Sequence, residues 1–205
     1  MPRVERRHTV YRPPWRIDVT IGAGVTSPIP IAALARAVAA ALDAAGAPRP
    51  GSVGLVLADD RELARLNGEH MSKSGPTDVL SFPILPPDAF PAHRGGATRG
   101  GGRAAAPFPL PPGVRQPIGD IVLSVERAAA QASEGRGGQT GDVRWSAADE
   151  LRLLVTHGTL HLCGWDHAEP DEEAAMRALE QDLLRAPRPP RRPRRAPRAP
   201  TAPRR

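Results

Sequence analysis

The sequence predicts an α+β fold, a small mixed β-sheet packed with about five helices. Three observations point there. Short aliphatic segments with strand-like alternation interleave with segments whose apolar residues recur at helical spacing. The order of these segments lacks the strict strand–helix alternation of an all-parallel sheet. Only 3% of the residues are aromatic although 40% are hydrophobic, so the core must be built from aliphatic side chains and alanine.

Residues 1–16 read as a polar, proline-containing lead-in to a domain spanning 17–185. Ile17, Val19 and Ile21 alternate along Arg16–Ile21, the pattern of a half-buried strand. Ile31, Leu34, Val38 and Leu42 have helical spacing, and Gly46 is placed to end that helix near Ala45. Val53–Ala58 is a short apolar strand. Asp59 or Asp60 can cap the next helix, with Leu63 and Leu66 inward. Asp78–Ile84 reads as another strand. Pro86–Pro117 holds eight prolines and six glycines, which excludes regular structure and predicts a long mobile loop within the domain.

Ile118–Val125 resumes as a strand, and an alanine-rich helix follows from Glu126 to about Glu134. Gly135–Gly141 is a break. Ser146 with Asp149 three residues on resembles a capping box. The helix it opens is apolar on nearly all sides through Leu162, as a buried central helix should be. A last helix runs from Pro170 to about Leu184, with an acidic first turn and Met176, Leu179 and Leu183 inward.

The formal charge is +6, but it is unevenly placed. Residues 186–205 hold eight arginines and no acid, which leaves 20 basic against 22 acidic residues elsewhere. The basic character therefore belongs to an Arg/Pro-rich tail, read as disordered, that either binds RNA phosphates by counterion release or is a solvated extension. A single cysteine, Cys163, excludes an internal disulfide. No signal peptide is recognisable, and no apolar run approaches the roughly 18 residues that cross a bilayer. A cytoplasmic location and no membrane partner are the expectations.

Three of the six histidines fall within the eleven residues His157–His167. His157 and His161 are one helical turn apart and share a face. His167 follows Gly164, which can end the helix and turn the chain back. Three imidazoles converging in this way form an open tetrahedral metal site with a vacant fourth position. Zinc is the leading ion, one per chain, although nickel, cobalt and iron also accept imidazole. Cys163 lies off the histidine face and reads as a small buried hydrophobe. Asp166 is a candidate catalytic residue, orienting a ligand imidazole or positioning water, or else it caps the turn. The His/Gly spacing is also that of the metzincin peptidases, which place a glutamate base directly after the first histidine. Here that position is Gly158, which has no proton acceptor on its side chain.

The run His157-Gly158, Leu160-His161-Leu162, Gly164 and Trp165-Asp166-His167 closely resembles the signature of the YbeY family, the metal-dependent endoribonucleases of bacterial rRNA maturation. Two upstream blocks extend the resemblance: Pro76-Thr77-Asp78-Val79-Leu80-Ser81-Phe82-Pro83, and Gly119-Asp120-Ile121-Val122-Leu123-Ser124. Together they cover about residues 17–185. The resemblance implies a zincin-like metal-dependent hydrolase fold with zinc held by His157, His161 and His167. It further implies single-strand-specific RNA cleavage, late 3′-end maturation of 16S rRNA, ribosome quality control, and contact with the small ribosomal subunit and its associated factors. One departure stands out: many members carry an arginine where this chain has Met71. Lys73, two residues on, is the candidate replacement cation for RNA binding, against the alternative of a core Met71 and a solvated Lys73.

For single-stranded RNA, Trp165 is a candidate stacking surface, or else it packs the turn against the core. Thr77, Asp78 and Ser81 read as residues that end or pair a strand. Two other functions fit parts of the sequence: a non-catalytic ribosome-associated protein with structural zinc, and a metallopeptidase. An open three-ligand site argues against the first, and Gly158 argues against the second.

Overall fold

A computed structural model describes residues 5–93, 111, 113–135 and 145–185. Strands β1 (Arg6–Arg12) and β2 (Trp15–Ile21) precede helix α1 (Ile31–Ala44), and β3 (Gly51–Ala58) precedes α2 (Asp60–Met71). Then follow β4 (Val79–Pro83), β5 (Gln116–Ser124), α3 (Val125–Ser133), α4 (Ala147–Leu162) and α5 (Pro170–Arg185). The five strands form one mixed sheet in the order β1-β2-β3-β5-β4. The central three are parallel, and the edges β1 and β4 run antiparallel to their neighbours. The predicted α+β class and its five helices are what the structure has.

The alternation of β2 sets the layers. Trp15, Ile17, Val19 and Ile21 are buried, while Arg16 between them is exposed. The buried set joins Leu34, Val38 and Leu42 of α1 and Leu151, Val155 and Leu160 of α4 in the main core. Ile121 and Leu123 of β5 face that core. Val122 between them points to the other side, where Leu80 and the Leu63 of α2 form a smaller cluster. Strand β5 continues through Pro117 at a register shift against β3, between Ser52 and Val53. A bulge tolerates proline there because the ladder hydrogen bond is already interrupted.

The polar lead-in is where the sequence reading needs correction. Residues 6–12 form β1, paired in full with β2 from Arg6↔Ile21 to Arg12↔Trp15. Of the side chains on its core side, Arg6, His8, Val10 and Arg12, only Val10 packs against the core. An edge strand with one apolar anchor shows no hydrophobic alternation to read. Most of the 86–117 loop and all of the 186–205 tail lie outside the described residues. The described part of the loop includes a short 3-10 turn at Pro87–Ala89. No helix among the described residues is long and apolar enough to cross a membrane.

Candidate metal centre

Helix α4 carries the first two histidines and is fixed at both ends. Ser146 accepts the Asp149 amide, and the Asp149 carboxylate accepts the Ser146 amide, so the predicted capping box is present. At the other end Gly164 takes a left-handed φ of 81°, which glycine adopts without a Cβ clash. Its N–H returns to the His161 carbonyl and that of Trp165 to the Leu160 carbonyl, both at 3.1 Å. These two bonds form a Schellman stop. They reverse the chain so that His167 comes back over the helix end.

The three imidazoles converge as the spacing requires. One ring nitrogen from each of His157, His161 and His167 lies within 4.8 Å of the others, a set that could hold a metal ion. The first two are half-buried and His167 is exposed. Ring centroids are 4.5 Å apart for His157–His161, 5.0 Å for His161–His167 and 5.4 Å for His157–His167.

The outer nitrogens decide the tautomers. His161 Nδ1 lies 2.9 Å from the Trp165 carbonyl, which can only accept, so that nitrogen carries the proton. His157 Nδ1 donates to Glu180 Oε1 at 2.7 Å, and Glu180 is only 7% exposed. The two Nε2 atoms face each other at 3.0 Å, and in the neutral His161 ring that atom is a free acceptor. Three ring nitrogens gathered within 4.8 Å, two of them on rings whose outer nitrogens are already held by Glu180 and the Trp165 carbonyl, form a donor set that fits a metal. Burial pushes the His161 pKa down to about 4, helped by the neighbouring His157 and His167, which keeps that ring neutral near pH 7.

Glu180 was missed by local sequence patterns. It sits on α5 one turn beyond Met176, on the same inward face. A glutamate among inward-facing Met176, Leu179 and Leu183 was the available signal.

Gly158 has a packing reason. A Cβ there would lie 2.9 Å from Ile121 Cγ2, 3.0 Å from Val79 Cγ2 and 3.1 Å from Ser81 Oγ. Its carbonyl accepts the Ser81 hydroxyl at 3.0 Å. A residue at 158 thus points into the sheet, and no glutamate base fits.

The upstream blocks brace this arrangement. Asp78 Oδ1 accepts the Val79 amide at 2.9 Å, and Oδ2 accepts the Gln131 amide nitrogen at 2.9 Å, tying the start of β4 to α3. Ser124 caps α3 through the Arg127 amide and donates to Asp60 at 2.6 Å. Asp166 Oδ1 accepts the His167 amide at 2.8 Å, which makes it a brace of the turn. The Trp165 ring packs against the main core and stacks on His93 at 3.9 Å and 9°. Cys163 is fully buried, and burial pushes its thiol up to about 12, so it stays protonated. Met71 is not core; it is 42% exposed at the end of α2. Lys73 is exposed just beyond it.

A cleft of about 250 Å3 opens beside His157 and His167, floored by Leu153, Leu154 and Met176 and walled by Asp78, Gln131 and Glu180 among others. Lys73 does not line it.

The family model described as Endoribonuclease YbeY matches residues 27–187. A Salinispora tropica protein named Endoribonuclease YbeY is 41% identical over 144 residues, 70% of this chain and 79% of that protein. One from Mycobacterium sp. strain KMS, with the same name, is 45% identical over 132 residues, 63% of this chain and 60% of its own length. A solution structure of a Thermotoga maritima protein aligns with a TM-score of 0.48 at 21% identity, covering 82% of this chain and 86% of that one. The match covers the histidine turn, the blocks at 76–83 and 119–124, and the helix that bears Glu180, and this chain therefore belongs to the endoribonuclease YbeY family.

Proposed function

We propose that this chain is a zinc-dependent endoribonuclease specific for single strands, acting in the cytoplasm in late 3′-end maturation of 16S rRNA and in ribosome quality control. Its partners in this reading are ribosomal RNA, the small ribosomal subunit and associated factors. One observation carries the catalytic part: the Nε2 atoms of His157 and His161 face each other at 3.0 Å, with His167 beside them. His157, His161 and His167 are the ligands, and a three-histidine set leaves one position open. Bound there, zinc supplies Lewis acidity at a phosphoryl oxygen and activates water near neutral pH.

The protein's own groups set the geometry. Glu180 holds the His157 ring through Nδ1, and the Trp165 carbonyl holds His161 in the same way. Asp166 fixes the turn that presents His167 and, in this reading, orients water or moves a proton. Lys73 is the candidate phosphate contact in place of the arginine absent at Met71.

The test is RNA cleavage by protein stripped with a chelator and then reloaded with zinc. Single-stranded RNA is cut only by the reloaded protein, and duplex RNA is spared. Cleavage that persists without metal, or no cleavage with zinc fully bound, contradicts the reading.

A further inference from the structure

We infer that the exposed β1 strand grips single-stranded RNA, at a site separate from the histidine turn. The inference rests on the proposed ribonuclease reading for the identity of its ligand. The family match begins at residue 27, so the β1–β2 hairpin lies outside it.

The first observation is charge. Residues 5–36 carry five arginines against two acids, Glu5 and Asp18. The remaining described residues, from 37 to 185, carry nine basic against nineteen acidic side chains. The described part of residues 37–185 is therefore net acidic. The cationic part of the described chain is its N-terminal edge, and that is where RNA phosphates are attracted.

The second observation is how those charges are held. Arg6 donates to the Val25 carbonyl at 3.0 Å and Arg12 to the Ala32 carbonyl at 3.5 Å. Arg115, from the start of the β5 segment, donates to the Pro14 carbonyl. Carbonyl partners order a guanidinium without neutralising it. By contrast, Arg7 and Arg16 are paired with Glu5 and Asp18.

The third is an aromatic surface. Tyr11 is 61% exposed, and the Arg115 guanidinium lies 5.8 Å from its ring centroid. The guanidinium sits over one face of this exposed tyrosine, and the opposite face is the platform on which an unpaired base stacks. Tyr11 and Arg7 project from one face of β1, and Arg6 and Arg12 from the other. A strand of RNA lying along this edge meets the base platform on one side and two cations on the other.

The experiment compares the full chain with Tyr11→Ala and with Arg6→Gln/Arg12→Gln/Arg115→Gln. Affinity for a labelled, unstructured RNA is read by anisotropy across a salt series, and cleavage of the same RNA is read on gels. Tyr11→Ala should weaken binding about 5- to 150-fold, the range for losing one stacked base. The triple variant should lower the salt slope by about 2, at ~0.7 per cation. Circular dichroism melts verify that each variant folds, and Tyr11→Phe, which keeps the ring, should bind as the parent does.

Unchanged affinity and slope in folded variants overturn the inference. So does self-association of the triple variant with RNA binding intact, because the arginines would then only guard an open strand edge. Equal losses on duplex RNA, or on anionic lipid vesicles with RNA binding preserved, overturn it too. Failure of the parent chain to cut RNA would instead count against the ribonuclease reading, since binding is scored independently.

Discussion

The histidine turn and the β1 edge are opposites in charge and in how the chain encodes them. The turn is written locally: eleven consecutive residues supply three imidazoles, the helix stop and the brace at Asp166. It sits in an acidic part of the molecule, with Asp78, Glu150, Glu173 and Glu180 around the adjoining cleft. The β1 edge is basic, and it exists only through pairing with β2 and through the carbonyls of distant residues such as Val25 and Ala32, which accept from its arginines. The contrast separates two tasks. Chemistry needs a few atoms at fixed spacing, which a helix supplies by itself. A surface for a polyanion needs charges gathered by the tertiary fold.

The most drastic way to break the turn is to restore the peptidase residue. Gly158→Glu would drive a Cβ and a charge against Ile121 and Val79. A loss of at least about 3 kcal/mol is expected from overpacking and burial of an unpaired carboxylate. A thermal melt at the parent temperature would contradict the packing role given to Gly158. The β1 edge, far from this contact, should keep its RNA affinity in whatever fraction folds.

Acid provides the next largest effect. His161 has its pKa lowered from 6.5 to about 4 in the folded protein. Between those values the unfolded chain binds the extra proton, so stability rises with pH in that window. The metal-free protein should be at full strength above pH 6.5 and lose about 3 kcal/mol by pH 4 from this group. Denaturant titrations of metal-free protein at several pH values measure this, and a flat profile from pH 4 to 6.5 would contradict the buried, neutral ring. RNA held by arginines at β1 has no such dependence.

Glu180→Gln is a milder change. The amide oxygen can still accept from His157 Nδ1, but without the charge that raises the ligand's basicity. Zinc affinity should fall about 10- to 100-fold, as measured by chelator competition. Glu180→Leu should fall further, and equal affinities for all three would leave Glu180 without a positioning role. The smallest effect belongs to Lys73→Ala, which should lower the salt slope of RNA binding by about 0.7 if that side chain meets one phosphate. An unchanged slope removes Lys73 from the interface.

These regions also show what the sequence could reveal. The helices at 31–44, 60–71 and 170–185 carried their own periodicity, those at 60–71 and 147–162 their side-chain caps Asp59 and Ser146, and the histidine run carried its spacing. Strand β1 did not, because Val10 alone anchors it to the core and the rest of its stability comes from β2. Glu180 was hidden for a related reason: its partner is 23 residues away, and no local pattern names it. Asp78 and Ser81 were legible as a block but not as a clasp, since their partners Gln131 and Gly158 lie on other elements. Met71 showed the reverse error. An apolar residue at a helix end was a fair candidate for the core, yet it ends α2 exposed.

The central claim is that His157, His161 and His167 hold the ion on which RNA cleavage depends. The most direct measurement pairs bound zinc, by mass spectrometry of the purified full chain, with cleavage of single-stranded RNA, for the parent and for His157→Ala. The account predicts one zinc per parent chain, with both zinc and cleavage lost in a variant that remains folded. Cleavage at the parental rate by His157→Ala, or zinc retained by it at full occupancy, would contradict the account.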